Sequence, residues 1–413
     1  MQLRRLACLA LLSAIACAQD LTPVVHVANP PNLTAQQSKH YVVLVSLDGF
    51  RYDYGKEYGT PSLDKMAADG ASTPEGMFPS YPSITFPNHY TLVTGLRPEH
   101  HGIAAMSFYD PFRKETYSYS DSKTNGDGSW YQGTPLWVLA EEQGMRSACM
   151  FWPGSEAAIQ GVRPTFYLHY DDNLDYKIRV DQVIAWLKLP AAERPHFITL
   201  YYPQPDHNGH TFGPDAPETR DAVHHVDDMI GLLREGIKAT GLPVDLIVTA
   251  DHGMIKTDQQ PVVLDQFANL DHFKTDGQYL YADTEADAEK AYEEFKAHLS
   301  PKFDVYRRLD LPERLHINAT ALLGDPVAVA KGPYQLYAHA PRRTPNIGSH
   351  GFDPYAVPQM KAIFYAEGPD IAKGVKLKSF DNVDVFPFIV KLLALDAPPV
   401  DGTLAPLAPA LKH

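Results

Sequence analysis

The stretch HYVVLVSLDGF, residues 40–50, constrains this chain more than any other. Its β-branched and leucine run shows no alternation, the pattern of a strand buried on both faces. Strands of that kind belong to parallel sheets, which need long crossovers, usually helical. The crossovers are present. TPSLDKMAADG offers Thr60 as a cap, Pro61 at the first helical position and Gly70 as the stop. TPLWVLAEEQG repeats that syntax from Thr134 to Gly144 and leads into the strand RSACMFW. A helix near 175–188 precedes the strand HFITLYY, and a long helix near 217–240 precedes VDLIVTA. MKAIFYAEGP supplies a further core strand and NVDVFPFIVKLLAL a last helix. The predicted fold is α/β, a mostly parallel central sheet with helices on both faces. Between about 258 and 345 the alternation breaks. QYLYADT, EADAEKAYEEFKAHL and FDVYRRL predict a small inserted α+β lobe there.

The ends read differently from the body. MQLRRLACLALLSAIACAQD has a basic start at Arg4 and Arg5, a short apolar stretch and a small-residue cleavage site at Ala16-Cys17-Ala18. Residues 1–18 are therefore expected to be a signal peptide and the protein exported, to a bacterial periplasm or secreted. Lipid anchoring through Cys17 is disfavoured by Ala14. Residues 19–39, rich in Pro, Asn and Gln, are expected to be a flexible lead-in, residues 40–404 the working body, and residues 405–413 a loose tail. No later segment is apolar for long enough to span a membrane. Cys8 and Cys17 fall in the leader, so Cys149 stands alone in an apolar run and reads as a small core residue. The 35 prolines predict long structured loops, and a net charge of −14 argues against a nucleic-acid polymer or an anionic membrane as partner. A local cation can still reverse that field at one anionic ligand.

In open parallel sheets ligands bind beyond the carboxyl ends of the strands. After VVLVSL comes Asp48-Gly49. After FITLYYPQP comes DHNGH, Asp206 to His210. After DLIVTA comes Asp251-His252-Gly253, and before MKAIFYAEGP lies GSHGF with His350. Each alone is an ordinary turn or loop motif. Together, three aspartates and three histidines at strand ends suit two divalent ions. Mixed imidazole and carboxylate donors favour zinc, or another borderline metal, over calcium or magnesium.

FPSYPSITFPNHYTLVTGL places a hydroxyl, Thr85, before a predicted helix near 87–94 with Pro87 at its first position. Thr85 is either that helix's cap or a nucleophile. Free N–H groups at a helix start favour a phosphate oxyanion, and a metal is a recognised activator of an otherwise weak hydroxyl nucleophile.

The set DGFR, TFPNHYTLVTGLRPEHHGI, FWPGSE, PDHNGH, TADHGM and GSHGFDP resembles the nucleotide pyrophosphatase/phosphodiesterase family of the alkaline phosphatase superfamily, in a minimal bacterial form. The resemblance runs from about 41 to 404 and implies an alkaline-phosphatase-like fold. It implies one zinc held by Asp206, His210 and His350, and a second held by Asp48, Asp251, His252 and Thr85. It implies that Thr85 attacks phosphorus and that the substrate is a nucleotide or dinucleotide, cleaved to a nucleoside 5′-monophosphate. Sulfatase relatives carry a modified Cys or Ser before x-Pro-x-Arg, whereas this chain reads Thr85-Phe86-Pro87-Asn88-His89. FWPGSE lacks the extra cations that monoesterases of the superfamily use, which favours a diester. The resemblance assigns Phe86 and Tyr170 to sandwich a base, with Trp152 and Glu156 lining the pocket. One residue departs from the family pattern. Where HGI-x-x-Asn is usual, this chain has HGIAAM, placing Met106 where an asparagine contacts phosphate. A thioether donates no hydrogen bond. A substrate that differs, such as a phospholipid head group, and a weakened, binding-only protein are the rival readings.

Overall fold

The computed structural model describes residues 23–412, so the expected signal peptide lies outside the described residues. A nine-stranded sheet organises the chain. Its strands are β1 (Val25–His26), β2 (Tyr41–Leu47), β3 (Ala71–Ser72), β4 (Ser147–Met150), β5 (Phe166–Leu168), β6 (Phe197–Tyr202), β7 (Val244–Thr249), β8 (Phe364–Glu367) and β9 (Val375–Lys376). Across the sheet they run β1-β5-β4-β6-β2-β7-β8-β3-β9. From β5 to β7 every neighbour is parallel, while β1 and β8 run against the rest. Every residue of β2, β6 and β7 is buried. That is the reason these strands read as mostly apolar runs rather than alternating ones.

Helices close both faces. α1 (Pro61–Asp69) begins after Thr60 and stops at Gly70. α2 spans Thr85–Thr94 and α3 spans Leu136–Glu142. α4 (Tyr176–Leu187) is capped by the Asp175 carboxylate, which accepts from the Lys177 and Ile178 amides. α5 is the short Asp206–Phe212, and α6 (Pro217–Thr240) ends on the left-handed Gly241. Within residues 262–338 a second apolar cluster gathers around Leu264, Leu280, Phe295 and Phe303, while Leu311, Leu315, Leu323 and Val327 pack into the main core. The helix Glu285–Ala297 packs on ribbons at 273–282 and 303–330.

Three local expectations fail here. Residues 23–39 are not a loose lead-in. β1 pairs antiparallel with β5, and buried Asn32 donates to the carbonyls of Ala191 and Arg194. The last residues are not a loose tail either: Leu407 and Ala410 are fully buried, and Leu411 bridges to Ile371. Proline-rich composition marks irregular backbone, and side-chain burial pins that backbone down. The helix after Thr85 also begins two residues earlier than Pro87 suggests. Ile84 is its N-cap, Thr85 its first residue, and Pro87 falls in the first turn, where no N–H is needed.

Candidate active site

The order β6-β2-β7 brings three strand ends side by side. Asp48 follows β2, Asp206 follows β6 and Asp251 follows β7, and all three are buried. Gly49 permits the close approach. Its φ is +67°, and an added Cβ would sit 2.8 Å from the Asp206 Cβ. The Asp206 amide then donates to the Asp48 carbonyl at 3.0 Å. Asp206 and His210 lie on one face of α5, with His210 Nε2 3.4 Å from Asp206 Oδ2, so the motif is a helical i,i+4 pair rather than a turn.

Two donor groups result: Asp206, His210 and His350, and Asp48, Asp251 and His252. Within each, the ligating atoms lie within 4.8 Å of one another. The imidazoles are set for coordination. His210 Nδ1 faces the Gly348 carbonyl at 2.8 Å, His350 Nδ1 the Ser83 carbonyl at 2.9 Å, and His252 Nδ1 the Gly253 carbonyl at 2.9 Å. A carbonyl only accepts, so the Nδ1 of His252 and of His350 carries the proton and the Nε2 of each presents a lone pair to the site, while His210 Nδ1 lies between the Gly348 carbonyl and the Asn346 amide at 3.1 Å. His210 Nε2 and His350 Nε2 stand 3.1 Å apart, and the His252 and His350 rings stack at 3.6 Å. Asp48 Oδ1 and Asp206 Oδ1 are buried and accept no hydrogen bond. Imidazole lone pairs beside bare buried carboxylate oxygens are costly unless a cation sits among them. The residues present therefore fit divalent metal.

The electrostatics agree. Burial, with the Asp251 and Asp206 charges beside it, pushes the Asp48 carboxyl well above the usual range. Burial and the flanking His252 and His210 hold His350 well below its ordinary value. Burial opposes the charge of Asp251, yet His252 and His89 keep its carboxyl below the carboxylate range.

The Thr85 hydroxyl lies 3.3 Å from His252 Nε2 and makes no cap hydrogen bond. Phe86, Met106, Trp152, Glu156 and Tyr170 line the same cavity of about 750 Å³ as Thr85, Asp48, Asp206, His210 and His350. Trp152 is nearly fully buried and donates from Nε1 to the His89 carbonyl at 3.1 Å, so it builds the wall. Tyr170 is 48% exposed; Glu156 accepts from its amide, and its hydroxyl donates to Asp172. Phe86 packs against Tyr119, with ring centroids 5.4 Å apart. Phe151 lies under Tyr170 with a left-handed φ of +63° at the end of β4.

Some residues escaped the sequence reading. Tyr201 donates to Asp48 Oδ2 at 2.6 Å. His89 reaches the Thr85 carbonyl and Ser46, with its Nδ1 3.4 Å from Asp251. The i,i+4 relation of Thr85 and His89 exists only because the helix begins at Thr85 rather than at Pro87, so the predicted helix did not show it. Tyr119 and Asn125, which also line the cavity, had no signal in the sequence.

Comparison with known proteins agrees with this geometry. Residues 42–353 match the family model of type I phosphodiesterase / nucleotide pyrophosphatase. The chain is 35% identical over 386 residues to bovine (Bos taurus) ectonucleotide pyrophosphatase/phosphodiesterase family member 3, covering 90% of this chain and 44% of that protein. It is 35% identical over 394 residues to a pyrophosphatase/phosphodiesterase of Schizosaccharomyces pombe, covering 90% of this chain and 80% of the relative. It thus spans less than half the length of the bovine relative. Murine ectonucleotide pyrophosphatase/phosphodiesterase 5, solved as an inactive threonine-to-alanine variant in complex with AMP, superposes with a TM-score of 0.85 at 29% identity. That match covers 91% of this chain and all of the murine one. With an alkaline-phosphatase-like α/β sheet, and with the matched family model extending over most of its length, this chain belongs to the type I phosphodiesterase / nucleotide pyrophosphatase family.

Proposed function

We propose that the chain is an exported, metal-dependent phosphodiesterase and nucleotide pyrophosphatase that releases nucleoside 5′-monophosphates through a phosphothreonine intermediate. One observation carries the reading: the Thr85 hydroxyl lies 3.3 Å from His252 Nε2 of one His/Asp group and lines one cavity with Asp206, His210 and His350 of the other. Asp206, His210 and His350 would hold one zinc, and Asp48, Asp251, His252 and Thr85 a second. When bound, such a pair supplies Lewis-acid stabilisation of the charge that develops on phosphate oxygens. The Thr85 Oγ1 gives up its proton and attacks phosphorus, the bond to the leaving oxygen breaks with that oxygen taking up a proton, and phosphorus is held on Thr85. Water then breaks the P–O bond to Thr85, and the nucleoside monophosphate departs. Phe86 and Tyr170 provide aromatic faces for a base, a contact that tolerates any base. Export rests on the leader-like start of the sequence. Among the described residues no helix is long and apolar enough to cross a membrane.

The test is turnover of p-nitrophenyl thymidine 5′-monophosphate and of a lysophospholipid, before chelation, after it, and after zinc return. Nucleotide turnover that disappears on chelation, returns with zinc and is absent in Thr85→Ala supports the proposal. Turnover of the lipid alone replaces the nucleotide with a head group. Nucleotide binding without turnover in the fully metallated wild type rejects the enzyme.

A further inference from the structure

A third cluster of metal-ligating residues lies at the opposite end of the sheet. His40 immediately precedes β2, Asp245 is the second residue of β7, and Asp370 follows β8. Val42 pairs with Asp245, so the cluster sits at the amino ends of the parallel strands. Asp48 and Asp251 lie beyond the other ends of the same two strands. The two sites therefore share a layer of sheet but no residue.

Its chemistry is that of a coordination group rather than a simple ion pair. The ligating atoms of His40, Asp245 and Asp370 all lie within 4.8 Å of one another. His40 Nδ1 is 2.6 Å from Asp370 Oδ2. Asp245 is fully buried, and its Oδ1 accepts from the Asp370 amide at 3.0 Å. Its Oδ2 is buried and accepts no hydrogen bond. Two carboxylates thus meet beside a single imidazole, and the buried Asp245 Oδ2 is left without a hydrogen bond. A protonated His40 offsets one negative charge, while a divalent ion offsets both and satisfies the bare oxygen. The backbone closes the buried side, because a Cβ at Gly368 would lie 2.2 Å from Asp245 Oδ1. His40 and Asp370 are 35% and 39% exposed at their side chains, which leaves an entry path from solvent.

We propose that His40, Asp245 and Asp370 form a structural binding site for a divalent transition ion, zinc or manganese, that ties the segment before β2 to β7 and to the turn after β8. One imidazole and two carboxylates suit a borderline or moderately hard divalent cation, with water completing the set. The ion fastens three segments far apart in sequence, so its effect is on stability rather than on turnover.

The test uses the full chain, stripped with a chelator, reloaded with zinc chloride or manganese chloride, freed of excess metal and analysed for metal content by mass spectrometry. The key variant is the double substitution His40→Ala with Asp370→Asn, both at partly exposed positions, with folding checked by circular dichroism. The wild type retains one metal equivalent more than this variant and gains more in Tm on loading. The same difference of one equivalent persists when Asp206→Asn and His350→Ala are added to both proteins, which separates this site from the catalytic end. Turnover of the loaded double variant equals that of the wild type. Equal metal content in wild type and double variant overturns the proposal.

Discussion

Met106 Sδ lies 3.4 Å from the Phe86 amide nitrogen and accepts its N–H. The thioether thus covers a first-turn donor beside Thr85. It supplies no donor in return. Met106→Asn adds an amide donor and should raise kcat on p-nitrophenyl thymidine 5′-monophosphate by about 10-fold or more, within the ~10²–10³ that a single oxyanion donor can contribute. Met106→Leu, which adds none, should show no such gain. An unchanged rate in Met106→Asn means that a neighbouring group already makes the contact.

The Tyr201 hydroxyl holds Asp48 Oδ2 at 2.6 Å, which fixes the carboxylate rotamer and leaves Oδ1 free. Tyr201→Phe keeps the ring and removes that bond. Metal retention against a competing chelator should weaken about 10–100-fold, the usual cost of losing a hydrogen bond that orients a ligand. Thermal stability after reloading should stay close to wild type. Unaltered retention would remove Tyr201 from the metal-holding arrangement.

Phe86 and Tyr170 line one cavity with Thr85, yet each packs on another aromatic ring, Tyr119 and Phe151 respectively. A base entering between them gains stacking worth about 1–3 kcal/mol per aromatic face removed by substitution. Phe86→Ala and Tyr170→Ala should each raise KM for a nucleotide substrate roughly 5–100-fold, with a smaller change in kcat. Steady-state kinetics on the same ester decide it, and a KM unmoved by both changes reduces the two rings to cavity wall.

His101 is fully buried. Its Nδ1 accepts from the Ile103 amide at 3.2 Å, and its Nε2 bonds Thr91 Oγ1 at 3.0 Å. Burial pulls its pKa down to about 3. An unfolded histidine titrates near ~6.5, so below that pH the unfolded chain binds the extra proton and stability falls as pH falls. The contribution is whole above pH ~6.5, has lost about 2 kcal/mol by pH ~5, and declines further towards pH ~3. Urea denaturation of wild type and His101→Gln at pH 7.5 and pH 5 measures it. The variant should be less stable at the higher pH and should lose about 2 kcal/mol less between the two. Identical pH slopes would contradict the buried neutral imidazole.

Much of this architecture is written in local pattern. The mostly apolar run of β2 announces a two-sided sheet, and the Thr60-Pro61 start and Gly70 stop delimit α1, because strand burial and helix ends are decided within a few residues. Asp48, Asp206, Asp251 and their histidines were legible for the same reason. Asp48 comes at the end of an apolar strand, Asp251 and His252 just after one and Asp206 a short turn further on, and parallel sheets put ligands at that end. What local pattern does not contain is which strands become neighbours. Only the order β6-β2-β7 sets Asp48 against Asp206 and carries the Tyr201 hydroxyl to Asp48 across 153 positions. Only the fold shows that Asn32 anchors the segment before β2 and that Leu407 docks the end of the chain. The start of α2 at Thr85 rather than Pro87, and the meeting of His40 with Asp245 and Asp370, were settled at the same level. Propensity and periodicity act over one turn or one strand. Contacts between distant segments depend on how whole elements pack, so they appear only when the sheet is assembled.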